Sequence, residues 1–156
     1  MRATVVCASN RAAAGVYEDT TGPVIVEALR ELGFEVADPV VVPDGEAVAD
    51  AIRAAVAAGA RAVLTTGGTG LNPDDHTPEQ TRAVVERELP QLAAAVAAYG
   101  VDHGVPTAVL SRGVAGTAGR TLIVNLPGST GGARDGMTVL APVLAHAVSQ
   151  LRGGDH

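Results

Sequence analysis

The stretch from Gly67 to Asp75 combines residue types that bind phosphate groups and metal ions. Its glycines, Gly67, Gly68 and Gly70, follow an apolar run that ends in two threonines, and the adjacent carboxylates Asp74 and Asp75 come shortly afterwards. A glycine-rich backbone can turn its N–H groups toward a phosphate, and carboxylates are ligands that Mg²⁺ prefers. The spacing therefore predicts a site for a phosphate and its metal ion.

A second acidic loop, Pro43 to Gly45, contains Asp44. All eleven basic residues are arginines, and the lack of lysine excludes a P-loop lysine, a Schiff base and a lysyl-adenylate intermediate. Magnesium-dependent phosphoryl or nucleotidyl transfer needs no protein nucleophile and fits two acidic loops beside backbone donors. Two plainer interpretations stay open at this point: the glycine cluster is only a tight turn, and Asp44 is only the N-cap of the following helix.

Length and composition predict one domain with a full apolar core. The chain has 156 residues, of which 47% are hydrophobic, and we expect a single domain over residues 1–152 with a frayed tail at 153–156. The net charge of −6 argues against nucleic acid and anionic membranes as partners. One Phe and two Tyr, with no Trp, leave little for stacking bases. A small anionic ligand remains compatible with this composition.

The cysteine and histidine content predicts a cytoplasmic protein without a zinc site. The single cysteine, Cys7, lies in an apolar run and is expected to be a buried hydrophobe, so no disulfide forms within the chain. The histidines show no metal-ligand spacing, and the serines lack the GxSxG context of serine hydrolases. No apolar run reaches the length of a membrane span, and the first ten residues do not resemble a signal peptide.

Apolar runs and amphipathic stretches alternate along the chain and predict an α/β fold. Strands are expected over residues 3–8, 34–42, 61–66, 107–110 and 121–124, the second with an irregular middle at Asp38 and Pro39. Helices are expected over about residues 21–32, 46–58, 78–88, 90–100 and 132–151, and a turn or irregular hairpin over 113–119. Helix crossovers between consecutive strands make those strands parallel.

The residues Thr77 to Gln80 have the pattern of a capping box. Thr77 is predicted to be the N-cap, with Pro78 at the first helical position and Gln80 three residues after the cap. If Thr77 caps the helix, the carboxylates of Asp74 and Asp75 are free to bind a ligand.

The polar loops after four strands are expected to form one cleft. In an open parallel sheet, ligands bind beyond the carboxyl ends of the strands. Four loops follow predicted strands: residues 9–11, 43–45, 67–75 and 125–129. Asp44 and Asp75 should therefore lie at the mouth of one pocket.

Several of these motifs together resemble the MogA and MoaB group of molybdenum cofactor biosynthesis proteins. The motifs are TTGGTG (65–70) with the Asp-x-Thr-Pro-Glu segment (75–79), NLPGS (125–129) with ARDGM (133–137), and ASNR, EDTTGP, VPDGE and VPTAVLSR in the family's order. The resemblance implies a three-layer α/β/α molybdopterin-binding fold with a mostly parallel sheet. It also implies a homotrimer that uses Mg²⁺ and ATP to adenylylate molybdopterin.

The same resemblance implies roles for individual residues. Asp44 and Asp75 would be catalytic through Mg²⁺. The residues implied in nucleotide binding are Thr66, Gly67, Gly68, Thr69, Gly70, Thr77 and Glu79, and those implied in molybdopterin binding are Ser9, Arg11, Asn125, Pro127, Gly128, Ser129 and Thr130. The molybdate-inserting enzyme of the pathway is the implied protein partner.

This chain departs from the family pattern at a few positions. Asp74 and His76 stand where the family often has arginine and valine, Asn10 stands in a segment that is often Ser-Asp-Ser-Arg, and Thr130 replaces a proline. The added acidic residue motivates an alternative, a paralogue of the MoaB type that binds pterin or nucleotide without chemistry. A nucleotide-processing enzyme of another pathway on the same fold is a third possibility.

Overall fold

A sheet of seven strands separates two layers of helices in this computed structural model, which describes residues 1–155. The strands are β1 (Arg2–Ala8), β2 (Glu35–Val36), β3 (Val40–Val42), β4 (Ala62–Thr66), β5 (Arg87–Glu88), β6 (Ala115–Ala118) and β7 (Thr121–Leu126). The helices are α1 (Asn10–Ala13), α2 (Gly22–Glu31), α3 (Glu46–Ala57), α4 (Thr77–Arg82), α5 (Pro90–Asp102) and α6 (Thr130–Leu151), with a 3₁₀ helix at Pro106–Leu110.

The sheet is mostly parallel, as the sequence predicts. Its order is β2-β1-β4-β7-β6-β5, and β3 also pairs with β1. The pairs that involve β1, and the pair of β4 with β7, are parallel, whereas β5, β6 and β7 are joined by antiparallel pairs. Cys7 lies opposite Thr66, and Thr66 opposite Leu126, so the parallel strands end at one level.

Alternating side chains of the central strands fill two apolar layers. Val5 packs with Leu29 of α2 and Leu140 of α6 on one face, whereas the next residue, Val6, packs with Ile52 of α3 on the other. A side chain in a strand points to the face opposite that of its neighbour, so continuous apolar runs produce a sheet buried on both sides. The predicted α/β/α layers are confirmed.

The first edge of the sheet consists of two short strand segments. β2 pairs with the start of β1 and β3 with its end, and Asp38 and Pro39 lie between the two segments. The predicted irregular middle at these residues is confirmed. Proline lacks the N–H that a continuous strand would need there.

Two predicted elements differ in the structure. Residues 107–110 belong to the 3₁₀ helix instead of a strand, because this segment packs against α5, where Val105 donates a backbone hydrogen bond to Gly100 at 2.9 Å. The place beside β7 is taken by β6. Its residues 115–118 lie in the segment 113–119, which was predicted to be a turn or an irregular hairpin, and they form a regular antiparallel pair with β7.

The helix predicted to reach Glu88 ends at Arg82. The amides of Val84 and Val85 both donate to the Thr81 carbonyl, at 3.0 Å each, which closes the helix in a turn. The chain then joins the sheet, where the Glu86 amide donates to Thr117 at 2.8 Å. Pairing with β6 therefore prevails over helix propensity in this segment.

The last helix begins at Thr130, two residues before its predicted start, and ends at Leu151. After it, Gly153 and Gly154 donate backbone hydrogen bonds to Gln150 and Ser149 at 2.9 Å each, and residue 156 of the predicted frayed tail lies outside the described residues. The domain boundary at residue 152 stays a prediction. Within residues 1–155, no helix combines the length and hydropathy that crossing a bilayer requires.

Truncation of Leu140 tests the packing of α6 against the sheet. Leu140 is fully buried, and Leu140→Ala should lower the free energy of unfolding by about 2–5 kcal/mol because it leaves a cavity. Denaturant titration followed by circular dichroism measures the change. Val143→Ala, at a residue of the same helix that is 43% exposed, is the control and should change it by about 0.5 kcal/mol or less. Equal effects of the two substitutions would contradict this packing.

Candidate functional site

A polar cavity lies at the carboxyl ends of β1, β3, β4 and β7. Its volume is about 540 Å³, and the loops after all four strands contribute to its lining. Both Asp44 and Asp75 line it, so the predicted convergence of these two carboxylates is confirmed. The predicted site residues that line the polar cavity are Ser9, Arg11, Asp44, Thr66, Gly67, Gly68, Asp75, Gly128, Ser129 and Thr130.

The Asp44 carboxylate holds the start of α4. Its Oδ2 accepts a hydrogen bond from the His76 amide at 3.1 Å, and its Oδ1 accepts one from the Thr77 hydroxyl at 3.1 Å. The predicted capping box is therefore wrong: His76 is the N-cap, and Thr77 is the first helical residue. The reason is the neighbouring loop, which places a carboxylate from another part of the chain where the N-cap side chain would act. Asp44 also does not cap α3, whose N-cap is Gly45 without a side-chain hydrogen bond.

Gly67 and Gly68 allow the loops to approach one another closely. Their φ angles are +90° and +67°, a region that L side chains rarely adopt. A Cβ on Gly67 would lie 2.4 Å from the Ala8 carbonyl oxygen, and one on Gly68 would lie 2.1 Å from Oδ2 of Asp44. The glycines are therefore required for the turn and for the room that Asp44 occupies.

Hydrogen bonds join the glycine loop to the loop after β7. The Thr66 hydroxyl donates to the Pro127 carbonyl at 2.7 Å, and the Gly67 amide donates to Leu126 at 3.3 Å. A Cβ on Gly128 would lie 3.2 Å from the Gly67 Cα, so the two backbones are in contact. The two loops therefore form one continuous floor of the polar cavity.

Arg112 fixes the far side of the glycine loop. Its Nε donates to the Gly70 carbonyl and its Nη2 to the Asp75 carbonyl, at 2.8 Å each, while its amide donates to Thr69 at 2.9 Å. Its Nη1 also binds the Glu79 carboxylate, and this hydrogen bond lowers the pKa of Glu79 below its ordinary value. Arg112 was not among the predicted site residues, although it ends the VPTAVLSR motif.

The loop after β1 carries Ser9, Arg11 and an aromatic residue that the sequence analysis missed. The Ser9 hydroxyl caps α1 by accepting from the Ala12 amide at 3.2 Å, and it lies 2.9 Å from the Tyr17 hydroxyl. The Arg11 guanidinium carbon is 5.6 Å from the Tyr17 ring centroid, within the range of a cation–π contact. Tyr17 also lines the polar cavity, so this loop presents hydroxyl groups and a cation to a ligand.

The segment before α2 supports the loop after β7. Asp19 Oδ1 accepts from the amides of Thr21 and Gly22 at 3.1 and 3.0 Å, and the Thr21 hydroxyl donates to the Gly128 carbonyl at 3.0 Å. Asp19 Oδ2 is buried without a hydrogen-bond partner in the described part of the chain. Burial, followed by the charge of Asp19, raises the pKa of the Cys7 thiol to about 12, so Cys7 stays protonated and is no nucleophile.

Three predicted site residues, Thr77, Glu79 and Asn125, line neither the polar cavity nor the second cavity beside it, and they support the loops around them. Asn125 is 5% exposed; its amide nitrogen donates to the hydroxyls of Thr65 and Thr81 at 2.8 and 2.9 Å, and its oxygen accepts from the Val114 amide at 3.0 Å. The Thr77 hydroxyl donates to Asp44, and the Glu79 carboxylate binds Arg112. β7 extends through residue 126 and places the Asn125 side chain in the core, and a role of Asn125 in ligand binding stays a prediction.

A second cavity, of about 630 Å³, adjoins the polar cavity. Both are lined by Gly68, Asp75, Gly128 and Ser129. Predicted residues Thr69, Gly70 and Pro127 line only this second cavity, whose other wall comes from α5, the 3₁₀ helix and the start of α6. The glycine loop therefore lies between two cavities.

Known proteins with similar sequences and structures share a molybdopterin-related description. A family model described as "Probable molybdopterin binding domain" matches residues 4–146. The chain belongs to this family. Among solved structures, the chain is similar to the molybdopterin biosynthesis Mog protein of Mycobacterium ulcerans, with 52% identity and a TM-score of 0.91, over 96% of this chain and 98% of that chain. The resemblance to the MogA and MoaB group is confirmed.

Curated relatives within the molybdopterin-binding family carry related names. The molybdopterin adenylyltransferase of Helicobacter pylori strain J99 is 34% identical over 153 residues, which cover 96% of this chain and 86% of that protein. A molybdenum cofactor biosynthesis bifunctional protein of Chlorobaculum tepidum is 34% identical over 156 residues, 99% of this chain and 50% of that protein. The chain thus spans about half the length of the first curated relatives that it matches.

The donor atoms of the polar cavity fit a magnesium ion that binds together with a phosphate. Among residues 1–155, no group of three or more His, Cys, Asp or Glu side chains is placed to hold a metal ion. Asp44 and Asp75 both line the polar cavity, and one or two carboxylates with substrate phosphate oxygens are the usual ligands of Mg²⁺. A magnesium site here would need further ligands from a bound phosphate or water.

Removal of the Arg112 side chain tests its hold on the glycine loop. Arg112→Ala should speed hydrogen exchange of the amides from Gly70 to Asp75 about tenfold or more, because charge-assisted hydrogen bonds to two carbonyls are lost. Hydrogen–deuterium exchange with mass spectrometry measures this. Arg120→Ala, at an exposed residue of the β6–β7 turn, is the control and should leave these amides unchanged. Unchanged exchange in both variants would show that Arg112 does not fix the loop.

Proposed function

We propose that the chain transfers AMP from ATP to the terminal phosphate of molybdopterin during molybdenum cofactor biosynthesis. The observation that carries the proposal is the meeting of Asp44, Asp75 and the glycine loop in one cavity. Family membership and the adenylyltransferase name of the Helicobacter pylori relative support it. The chemistry also agrees with a chain that has no lysine nucleophile.

In the proposed reaction, an oxygen of the molybdopterin phosphate attacks the α-phosphorus of ATP. A new P–O bond forms, the bond between the α-phosphorus and the bridging oxygen breaks, and pyrophosphate leaves with the electron pair. The chain's part is to align the two phosphates and to stabilise the charge that accumulates between them. The glycine loop, residues 67–70, lies where the two cavities meet, and its amides other than that of Gly67, which already donates to Leu126, would supply donors.

Asp44 and Asp75 would hold Mg²⁺, which supplies charge neutralisation on the phosphate oxygens when bound. Asp75 has one carboxylate oxygen that accepts from the Asn72 amide at 3.0 Å, while Asp44 is already bonded to α4. Of these two carboxylates, that of Asp75 is therefore the more available for a ligand. The proposed roles of three other residues toward the nucleotide are indirect. Thr66 supports the glycine loop, Thr77 donates a hydrogen bond to Asp44, and Glu79 binds Arg112.

The polar cavity is the proposed site of molybdopterin. The pterin ring carries several hydrogen-bond donors and acceptors, and the lining provides matching groups in Ser9, Arg11, Ser129 and Thr130. The Thr21 hydroxyl is 3.5 Å from that of Thr130, which orients Thr130 at the start of α6. The molybdate-inserting enzyme is the proposed recipient of the product, and the reducing cytoplasm, suited to a chain with one thiol, is the proposed location.

Replacement of Asp75 tests the enzyme proposal. Asp75→Asn keeps the shape and removes the charge, so turnover of ATP and molybdopterin should fall about 100-fold or more. Pyrophosphate release measures the rate. Asp50→Asn, at a carboxylate of α3 with 76% side-chain exposure, is the matched control and should keep full turnover. Full activity of Asp75→Asn would remove this residue from the mechanism.

A non-catalytic paralogue is the alternative function, and the extra carboxylate of Asp74 favours it. Asp74 also lines the polar cavity, where another negative charge opposes the approach of phosphates. Calorimetry of the wild-type chain with ATP and Mg²⁺ separates the two functions. Absence of metal-dependent ATP binding, together with absence of turnover, would support the non-catalytic alternative.

Trimer formation is proposed to use the exposed face of α5 and the 3₁₀ helix. Val109 is 70% exposed and Val101 40% exposed, and the alanines Ala94, Ala95 and Ala98 of α5 are also exposed. Val109→Asp should convert the trimer to monomers, because a charge would be buried at the contact. Light scattering measures the mass. Val143→Asp, on α6, is the control and should leave the trimer intact. If Val109→Asp still forms a trimer, the face of α5 and the 3₁₀ helix is not the contact between subunits.

A further inference from the structure

We propose that Thr81 is a positioning residue: its buried hydroxyl ties α4 to β7 and thereby sets the place of the Asp44 carboxylate. Thr81 lines neither the polar cavity nor the second cavity, so it acts through other residues. The inference rests on the proposed function in one respect, namely that Asp44 is a ligand of the metal ion during the transfer.

The short helix α4 has little apolar surface that could fix its position. Its six residues are TPEQTR, and those that are buried are Thr77, Pro78 and Thr81. Most helices are held in place by the packing of an apolar face, and α4 has no large aliphatic or aromatic side chain to pack. Its place between α3 and β7 therefore depends mainly on hydrogen bonds.

The Thr81 hydroxyl makes two of these hydrogen bonds. It donates to the Thr77 carbonyl, four residues earlier in the same helix, at 2.7 Å, and it accepts from Nδ2 of Asn125 at 2.9 Å. A hydroxyl has one hydrogen to donate, so donation to Thr77 leaves a lone pair for Asn125. Thr81 is fully buried, and water cannot replace either partner. The hydroxyl therefore joins the first turn of α4 to β7.

The Asn125 side chain is itself held in one orientation. Its Oδ1 accepts from the Val114 amide at 3.0 Å, and its Nδ2 also donates to the Thr65 hydroxyl at 2.8 Å. Because a backbone amide can only donate, the oxygen must face Val114 and the nitrogen must face the two threonines. β7 thus presents to α4 a donor that β4 and the residue before β6 hold in place.

The other end of this network is the Asp44 carboxylate. The Thr77 hydroxyl donates to its Oδ1 and the His76 amide to its Oδ2, each at 3.1 Å. Three successive hydrogen bonds therefore lead from Asn125 through Thr81 and Thr77 to Asp44. A displacement of α4 would carry both donors of Asp44 with it.

Removal of the Thr81 hydroxyl tests the inference. Thr81→Val keeps the size and the branched shape but leaves Nδ2 of Asn125 with an unpaired hydrogen, so α4 should move away from β7. The Mg²⁺ concentration that gives half-maximal turnover of ATP and molybdopterin should rise about tenfold or more, because the support of a proposed ligand is lost. Thr81→Ser keeps the hydroxyl and should stay within about twofold of the wild type. Pyrophosphate release over a series of Mg²⁺ concentrations measures the change.

Thr121→Val is the matched control. Thr121 is also a buried threonine that donates to a backbone carbonyl, that of Ala60 at 2.6 Å, but it lies at the opposite end of β7 from Asn125. Thr121→Val should lower the melting temperature about as much as Thr81→Val, while its Mg²⁺ requirement stays within about twofold of the wild type. An equal rise of the Mg²⁺ requirement in both variants, or a lower melting temperature alone in Thr81→Val, would overturn the inference.

The double variant Thr77→Val/Thr81→Val tests whether the two hydroxyls act along one path. Thr77→Val removes a donor to Asp44 and should also raise the Mg²⁺ requirement. The double variant should exceed the more affected single variant by no more than about twofold, because both changes disturb the same carboxylate. If the effects of the two single variants multiply, Thr81 does not act through Thr77 and the inference is wrong.

Exchange of the His76 amide gives a readout that does not depend on the reaction. This amide donates to Asp44, and its hydrogen exchange, measured by NMR, should be about tenfold or more faster in Thr81→Val and unchanged in Thr121→Val. Wild-type exchange in Thr81→Val would overturn the inference whatever the turnover. Faster exchange in Thr81→Val, with no turnover by the wild-type chain, would instead refute the proposed function and leave the positioning of Asp44 standing.

Discussion

The site depends on the contact between the Asp44 carboxylate and the first residues of α4. These groups lie 32 and 33 residues apart in the chain, and the two hydrogen bonds at 3.1 Å join the loop after β3 to the loop after β4. A carboxylate beside the first amides of a helix is favoured by their dipoles, so the contact stabilises both loops. It requires Gly68, since a side chain there would occupy the position of the carboxylate.

A consequence of this arrangement is that several residues with implied ligand roles act on other residues. Thr77 donates to Asp44, Glu79 binds Arg112, and Asn125 joins β7 to Thr65 and Thr81. Each of these side chains has a satisfied partner within the protein, and a lost partner would leave a polar group unpaired. The residues that face the cavities, such as Asp75 and Ser129, are positioned by this surrounding network.

The sequence predicts the sheet, its mostly parallel order and the meeting of Asp44 with Asp75, because apolar periodicity and the position of polar loops are local signals. It fails where a distant segment competes with the local preference. The residues after Arg82 read as helix but pair with β6, and residues 107–110 read as a strand but pack on α5. Arg112 and Tyr17 were not predicted as site residues for the same reason. The partners of Arg112 lie 33 to 42 residues away in the chain, and Ser9, the partner of Tyr17, lies 8 residues away, so only the fold brings them together.

The short strands at the two margins of the sheet also bear on how molecules of this chain can meet. At one margin, β2 has two residues and β3 has three, with a proline between them. At the opposite margin, β5 has two residues. Neighbouring molecules would find no long row of free amides and carbonyls on which to add a strand. Fibre-like stacking of sheets is thereby disfavoured, even in a concentrated solution, and contacts between molecules are left to the helix surfaces and loops.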